Sequence, residues 1–184
     1  FKKAANLNHG TAKDYLGDCY YNGQGIDQSY SEAAKWYKDA ADNNKNGSSA
    51  HSLAFMYLKG EGLPEDIHKA IDYWHIAADK GITQAQRIIS REYISGEYLE
   101  KDYIKAKKYI EMAAEKGDAE AQFTLGRYYI SEMGFDNEQK CFEWFQKAAE
   151  QGFVEAEYAV GGCYENELGV KQDYAQANYW YQIA

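Results

Sequence analysis

The chain has 184 residues and a formal net charge of −9, from 29 acidic and 20 basic side chains. This acidic balance argues against general binding to nucleic acid or to an anionic membrane surface, since both attract basic proteins. No apolar run approaches the roughly 20 residues of a membrane-spanning helix, and we expect the three scattered cysteines, Cys19, Cys141 and Cys163, to be buried free thiols.

One tyrosine recurs along the chain at steps of 37, 36, 36 and 35 residues, as Tyr20, Tyr57, Tyr93, Tyr129 and Tyr164. An aliphatic residue stands four places before it. A small residue stands three places before it, as Gly17, Ala54, Ser90, Gly126 and Gly161. An Ala-Ala pair recurs later in each period. A period of this length is typical of helical repeats that stack on one another.

Each period contains two apolar stripes with helical spacing, and no segment alternates with a period of two. The first helices are predicted at about 11–22, 48–59, 84–95, 120–131 and 155–166. The second helices are predicted at about 30–42, 67–80, 103–116, 138–151 and 174–184. Glycines separate the two, with Gly134 as the break in the fourth period. We expect the small residues to let neighbouring helices approach, and the tyrosines with Trp36, Trp74, Trp144 and Trp180 to fill the core.

Five copies of the pattern A-x-x-x-L-G-x-x-Y-x-x-G-x-G-[IVL]-x-x-D-x-x-[KE]-A-x-x-W-Y-x-x-A-A follow one another in register. This pattern resembles the Sel-1-like repeat family, a relative of the tetratricopeptide repeats. The resemblance implies an all-α fold, a right-handed α/α superhelix that forms a single solenoid over 1–184. Its units are approximately 12–48, 49–84, 85–120, 121–155 and 156–184, with 1–11 as the end of a preceding unit. We expect the chain to be part of a longer protein.

Two loops depart from the family pattern and are predicted to differ in shape from the others. Tyr98 replaces the second loop glycine of the third repeat, and the fourth repeat has a shortened loop around Glu132-Met133-Gly134.

The resemblance also implies a function: a non-catalytic scaffold or adaptor that binds a protein or peptide in the concave groove. Relatives serve bacterial signalling, host interaction and secretion, or protein quality control at the endoplasmic reticulum. One alternative is an immunity-type protein that blocks a secreted bacterial effector. Another is a hydrolase-like enzyme similar to the β-lactam-binding relatives. Those relatives carry regular cysteine pairs in each repeat, which this sequence lacks.

Partner-binding residues are predicted at positions that recur in place and not in identity, because the recurring residues are explained by packing. If the first helices line the groove, it contains Asp14, Asp18, Tyr21, His51, Phe55, Leu58, Arg87, Arg91, Ile94, Phe123, Arg127, Ile130 and Tyr158. The chain has only three arginines, and all three fall in this set. Arg91 and Arg127 are one repeat apart, so we expect them to be neighbours.

Arginine beside exposed aromatic residues is typical of interface hot spots and suits a partner with acidic groups. The alternative is that the arginines bridge helices through Glu92, Glu120 or Glu155, and that the aromatic residues belong to the core.

No catalytic, metal or cofactor site is predicted. The four histidines, His9, His51, His68 and His75, do not have a metal-ligand spacing. Gly23-Gln24-Gly25 and Gly60-Glu61-Gly62 lack the preceding strand and the Gly-Lys of a phosphate loop, so turns between helices explain them.

Overall fold

The computed structural model describes residues 9–130 and 137–184 of the chain. Over these residues the protein contains ten α-helices joined by short loops, and none of them has the length and apolar content needed to cross a bilayer. The helices are α1 (Gly10–Asn22), α2 (Tyr30–Asn44), α3 (Gly47–Lys59), α4 (Ile67–Asp79), α5 (Thr83–Ser95), α6 (Tyr103–Glu115), α7 (Ala119–Tyr128), α8 (Glu138–Ala149), α9 (Val154–Asn166) and α10 (Tyr174–Ile183).

The predicted all-α class is confirmed, and each predicted helix coincides with an observed one. The predicted end of α7 at 131 and the predicted break at Gly134 lie outside the described residues, as do residues 1–8 of the preceding unit.

One residue at the start of each second helix fixes the hairpin of its repeat. The side chains of these N-cap residues accept hydrogen bonds from backbone amides in the first turn, and the residues are Ser29, Asp66, Asp102, Asn137 and Asp173. The N-cap amide also bonds the carbonyl of the recurring tyrosine, from Ser29 to Tyr20 and from Asp66 to Tyr57, both at 2.9 Å. The loop is therefore tied to both helices.

The recurring small residue accommodates a ring from the second helix of the same repeat. A Cβ added at Gly126 would lie 2.6 Å from Cδ1 of Phe145, and one at Gly17 would lie 2.5 Å from Cε1 of Tyr37. Glycine is therefore required at these two positions, because the ring from the second helix occupies the space that a Cβ would need. The prediction that the four tryptophans fill the core is wrong in part. Only Trp74 is buried, because it occupies the position of Tyr37 and Phe145, whereas Trp36, Trp144 and Trp180 are half-buried.

The second loop glycine has a different reason to recur. Gly62 has a φ of 74°, and a Cβ there would lie 2.3 Å from the carbonyl carbon of Tyr30. The loop of the second repeat thus rests on the backbone where α2 begins. Tyr98, at the same position of the third repeat, lacks the positive φ, so the predicted difference in loop conformation is present.

The helices form two compact units, Phe1–Lys101 and Asp102–Ala184. In the first unit α1 packs on α2, and each helix packs on the next as far as α5. In the second unit the same succession holds from α6 to α10. Leu53 and Ile89 are fully buried in the first unit, as are Leu125 and Val160 in the second. Such nearest-neighbour packing is how repeat proteins build a core.

Candidate partner-binding surface

The thirteen residues predicted to line the groove, here called the first-helix surface, all lie outside the buried core. The exposed members are Leu58, Arg91, Arg127, Ile130 and Tyr158. The half-buried members are Asp14, Asp18, Tyr21, His51, Phe55, Arg87, Ile94 and Phe123. Side chains of these types at partly exposed positions are available to a partner.

A pocket of about 440 Å³ lies in the first two repeats. It is lined by Asp18, Tyr21 and Asn22 of α1, Tyr37 of α2, and Ser52, Phe55 and Lys59 of α3. Three residues of the first-helix surface, Asp18, Tyr21 and Phe55, are therefore brought together. The pocket lies where α1, α2 and α3 pack on one another.

Hydrogen bonds hold the polar side chains of this pocket in place. The Tyr37 hydroxyl donates to Oδ1 of Asp18 at 2.6 Å, and Ser52 bonds the same hydroxyl. Burial, with the bond to Asp18, raises the pKa of Tyr37. The Tyr21 hydroxyl donates to Oε2 of Glu61 at 2.7 Å, and this bond, with burial, raises the pKa of Tyr21 to about 12. Both phenols therefore keep their protons at neutral pH.

Asp14 and His51 extend the polar contacts beyond the pocket. Asp14 accepts a hydrogen bond from the hydroxyl of Ser49, and burial raises the pKa of Asp14 while this bond opposes the rise. His51 Nε2 lies 3.0 Å from Oε1 of Gln84, and burial lowers the pKa of His51. The His51 ring meets Phe55 edge-on at 4.9 Å between centroids.

The arginines have contacts of different kinds. Nε of Arg91 lies 3.6 Å from Oε1 of Glu92, although the Arg91 side chain is 72 % exposed. Both residues belong to α5, so this pair is not one of the predicted bridges between helices, and an ion pair so exposed contributes little to stability. The guanidinium of Arg127 lies 6.0 Å from the centroid of Phe123. The proximity of Arg91 to Arg127 stays a prediction, since they belong to different compact units.

Aromatic contacts position two predicted residues of the second unit, Phe123 and Tyr158. Phe123 lies 5.4 Å from Phe145 and 5.5 Å from Phe153 between ring centroids, so one side of it belongs to the core. Tyr158 lies 5.0 Å from Tyr181 and is 66 % exposed. Tyr158 is thus the more accessible of the two predicted aromatic residues in this unit.

Four of the seven pocket residues lie outside the thirteen predicted ones: Asn22, Tyr37, Ser52 and Lys59. Asn22 and Lys59 directly follow the predicted residues Tyr21 and Leu58 on the first helices. Tyr37 was assigned to no site because it comes from a second helix. Its alignment with Trp74 and Phe145, each opposite a small residue, is the signal that could have placed its ring. Ser52 stands one place after His51, so it fell just outside the chosen positions.

Two of the three cysteines come together in the second unit. Cys141 and Cys163 are both buried, and a hydrogen bond between them raises the pKa of Cys141 and lowers that of Cys163. Cys19 is half-buried and belongs to the first unit. Over residues 9–130 and 137–184, no three His, Cys, Asp or Glu side chains group in a way that could hold a metal ion.

The geometry defines a protein of stacked helix pairs with a pocket on its first helices. The Sel1 repeat model matches residues 12–45, 47–82, 83–118, 119–153 and 154–184, and the chain belongs to this family. Among curated relatives, sel-1 homolog 2 of Rattus norvegicus is 35 % identical over 78 residues. That match covers 42 % of this chain and 11 % of the relative, so the chain spans a small part of that protein.

Solved structures of Sel1 repeat proteins are similar over nearly the whole chain. The protective antigen c5321 of uropathogenic Escherichia coli, which displays an SLR fold, is 28 % identical with a TM-score of 0.88. That similarity covers 99 % of this chain and 39 % of the antigen. A Sel1 repeat protein from Oxalobacter formigenes has 26 % identity and a TM-score of 0.82, over 95 % of this chain and 70 % of that one.

A more distant likeness concerns immunity protein Pa5087 from Pseudomonas aeruginosa. It has 21 % identity and a TM-score of 0.50, covering 95 % of this chain and 64 % of the immunity protein. At this identity the likeness shows the fold alone.

Proposed function

We propose that this chain is a non-catalytic interaction scaffold that binds a protein or peptide partner through the first-helix surface. One observation carries the proposal. The pocket of about 440 Å³ is lined mainly by side chains that differ from repeat to repeat, whereas the recurring residues are used for packing. Exposed arginine and aromatic side chains also lie on later first helices, and a partner with acidic groups suits the arginines.

Site-specific photo-crosslinking tests this proposal. The photoreactive residue p-benzoylphenylalanine is placed at Phe55 or at Tyr158, in an extract of the cells that produce the protein. Tyr103 is the matched control, because it is an exposed aromatic residue on the second helix α6. The same crosslinked protein is expected from Phe55 and Tyr158 and none from Tyr103. Equal crosslinking from all three positions, or none from the first two, contradicts the proposal.

An immunity-type inhibitor would use the same surface in a different way. It would capture one dominant partner at nanomolar affinity and silence that partner's activity. A scaffold would leave the activity of its partner intact. Assaying the crosslinked partner with and without stoichiometric amounts of this chain separates the two roles. A third role, as a hydrolase, would need a nucleophile beside an activating base.

A further inference from the structure

The polar groups that the pocket leaves for a ligand are mainly hydrogen-bond acceptors. The Tyr37 proton goes to Asp18, and the Tyr21 proton goes to Glu61. Ser52 bonds the Tyr37 hydroxyl, so its proton is used as well. The Asn22 side-chain amide donates one of its two N–H groups to the main-chain oxygen of Asp18 at 3.0 Å, which leaves one donor. A carboxylate has about four lone-pair sites, so Asp18 retains accepting capacity toward the pocket.

The charges around the pocket favour the same kind of ligand. Asp18 lines it, and Glu61 lies at its edge through the bond from Tyr21. The one cation among the lining residues is Lys59, whose Nζ is 4.0 Å from Oε1 of Glu61 and whose side chain is 57 % exposed. Asp14 is one helical turn before Asp18, and burial together with the charge of Asp18 raises the pKa of Asp14. Carboxylates therefore outnumber ammonium groups here.

Three aromatic side chains, Tyr21, Tyr37 and Phe55, complete the lining. Aromatic rings attract cations through their electron-rich faces, and they also pack against the methylene stems of lysine and arginine. The combination of a carboxylate, acceptor hydroxyls and several rings is suited to a side chain that is both cationic and long.

We propose that this pocket receives a lysine or arginine side chain of the partner. The proposal rests on the proposed function and specifies the partner's chemistry in the first two repeats. The cationic head would bond Asp18, and the stem would lie along the rings. A partner that also meets Arg91 through an acidic group would then carry both signs of charge, each placed at a different repeat.

Small probes test this inference without knowledge of the partner. The full chain, with ¹³C-labelled aromatic rings, is titrated by NMR with N-acetyl-arginine methylamide. N-acetyl-glutamate and N-acetyl-norleucine methylamides are the anionic and neutral controls. We expect saturable shifts of the Tyr21, Tyr37 and Phe55 rings with the arginine probe alone. The variant Asp18→Asn should weaken this binding roughly tenfold, because charge-assisted hydrogen bonds are the stronger ones.

The variants separate charge from structure. Asp18→Asn removes the charge and keeps an oxygen that accepts the hydrogen bond from Tyr37. Lys59→Gln changes an exposed side chain, so it tests the role of charge even if Asp18→Asn fails to fold. Lys59→Gln should tighten the arginine probe. The inference would be overturned if the glutamate probe bound more tightly than the arginine probe, or if its binding were lost in Lys59→Gln. It would also be overturned if the norleucine probe bound as tightly as the arginine probe, or if no probe shifted the ring signals. Crosslinking from Phe55 that persists beside such a result would leave the proposed function standing.

Discussion

The Tyr37 hydroxyl donates a hydrogen bond of 2.6 Å to Asp18, and this bond joins the core of the first repeat to its pocket. The Tyr37 side chain is 2 % exposed, and its ring fills the space that Gly17 leaves on α1. Its hydroxyl reaches the pocket and orients the carboxylate of Asp18. One residue therefore contributes to packing and to the candidate site.

Removing this hydroxyl should destabilise the protein measurably. The variant Tyr37→Phe keeps the ring and leaves the half-buried Asp18 carboxylate without its donor, at a cost of about 1–2 kcal/mol. Urea denaturation followed by circular dichroism measures the free energy of unfolding. The matched control is Tyr181→Phe, because Tyr181 donates a 2.7 Å bond to Glu165 at an exposed site. The control should lose less than about 0.5 kcal/mol, and equal losses in both variants would show that burial of the bond is unimportant.

Filling the glycine opposite Phe145 should also destabilise the fold. A Cβ at Gly126 would lie 2.6 Å from Cδ1 of Phe145 and 3.2 Å from the carbonyl oxygen of Cys141. Because Phe145 is buried, its ring has little room to move, and Gly126→Ala should cost about 1–3 kcal/mol. Gly162→Ala is the control, since its Cβ meets only the Tyr181 hydroxyl at 3.6 Å. Alanine should stabilise that helix by up to about 1 kcal/mol, so a loss at Gly162 or a gain at Gly126 contradicts this account.

The half-buried position of Asp14 predicts a dependence of stability on pH. Burial raises the pKa of Asp14 in the folded state, and the charge of Asp18 adds to the rise. The folded state then holds this proton more tightly than the unfolded state. The resulting stability is present below the ordinary pKa of 3.8 and is lost as pH rises through the folded value. Asp14→Asn should therefore gain more stability over the wild type at pH 7 than at pH 3.

Ser49→Ala provides the opposing variant for Asp14. It removes the hydrogen bond that holds the pKa down, so its loss of stability between pH 3 and pH 7 should exceed that of the wild type. Urea denaturation at both pH values gives the comparison. A gain in Asp14→Asn that is the same at both pH values would show that ionisation of Asp14 does not affect folding.

The three thiols should differ in reactivity. Cys141 and Cys163 are 0 % and 1 % exposed, whereas Cys19 is half-buried. The bond from Cys141 lowers the pKa of Cys163, which favours its thiolate, but a buried thiolate is not accessible to a reagent. Iodoacetamide should therefore modify Cys19 several-fold faster than the other two. Mass spectrometry of tryptic peptides over time gives the order, and modification of Cys163 first would contradict it.

The recurring letters of the sequence predicted the helices well, because they report the 3.6-residue period and the caps of each hairpin. Tyr20, Tyr57 and their counterparts mark the first helices, and the carbonyls of these two tyrosines bond the N-cap residues Ser29 and Asp66. The register of the aromatic pair was harder to predict. The pair is Trp36-Tyr37 in the first repeat and Tyr73-Trp74 in the second, so tryptophan changes place within it. In both pairs only the second residue is buried.

The candidate site was predicted in part. Helical spacing predicts Asp18 and Tyr21 on one face of α1, and the repeat predicts Phe55 on the corresponding face of α3. It missed Tyr37, because the contact of a second-helix side chain with that face depends on how closely two helices pack. Helix packing at Gly17 is a tertiary relationship between residues 17 and 37 that periodicity does not encode.

Partner binding by the first-helix surface should depend on its exposed arginines. Isothermal titration calorimetry of the crosslinked partner against Arg91→Ala/Arg127→Ala measures this dependence. Lys35→Ala/Lys108→Ala, which removes the same charge from exposed positions on second helices, is the matched control. The account predicts binding at least about tenfold weaker for the arginine variant, with unchanged affinity for the lysine variant. Equal affinities for wild type and both variants, or an arginine variant that loses thermal stability and retains its affinity, would contradict it.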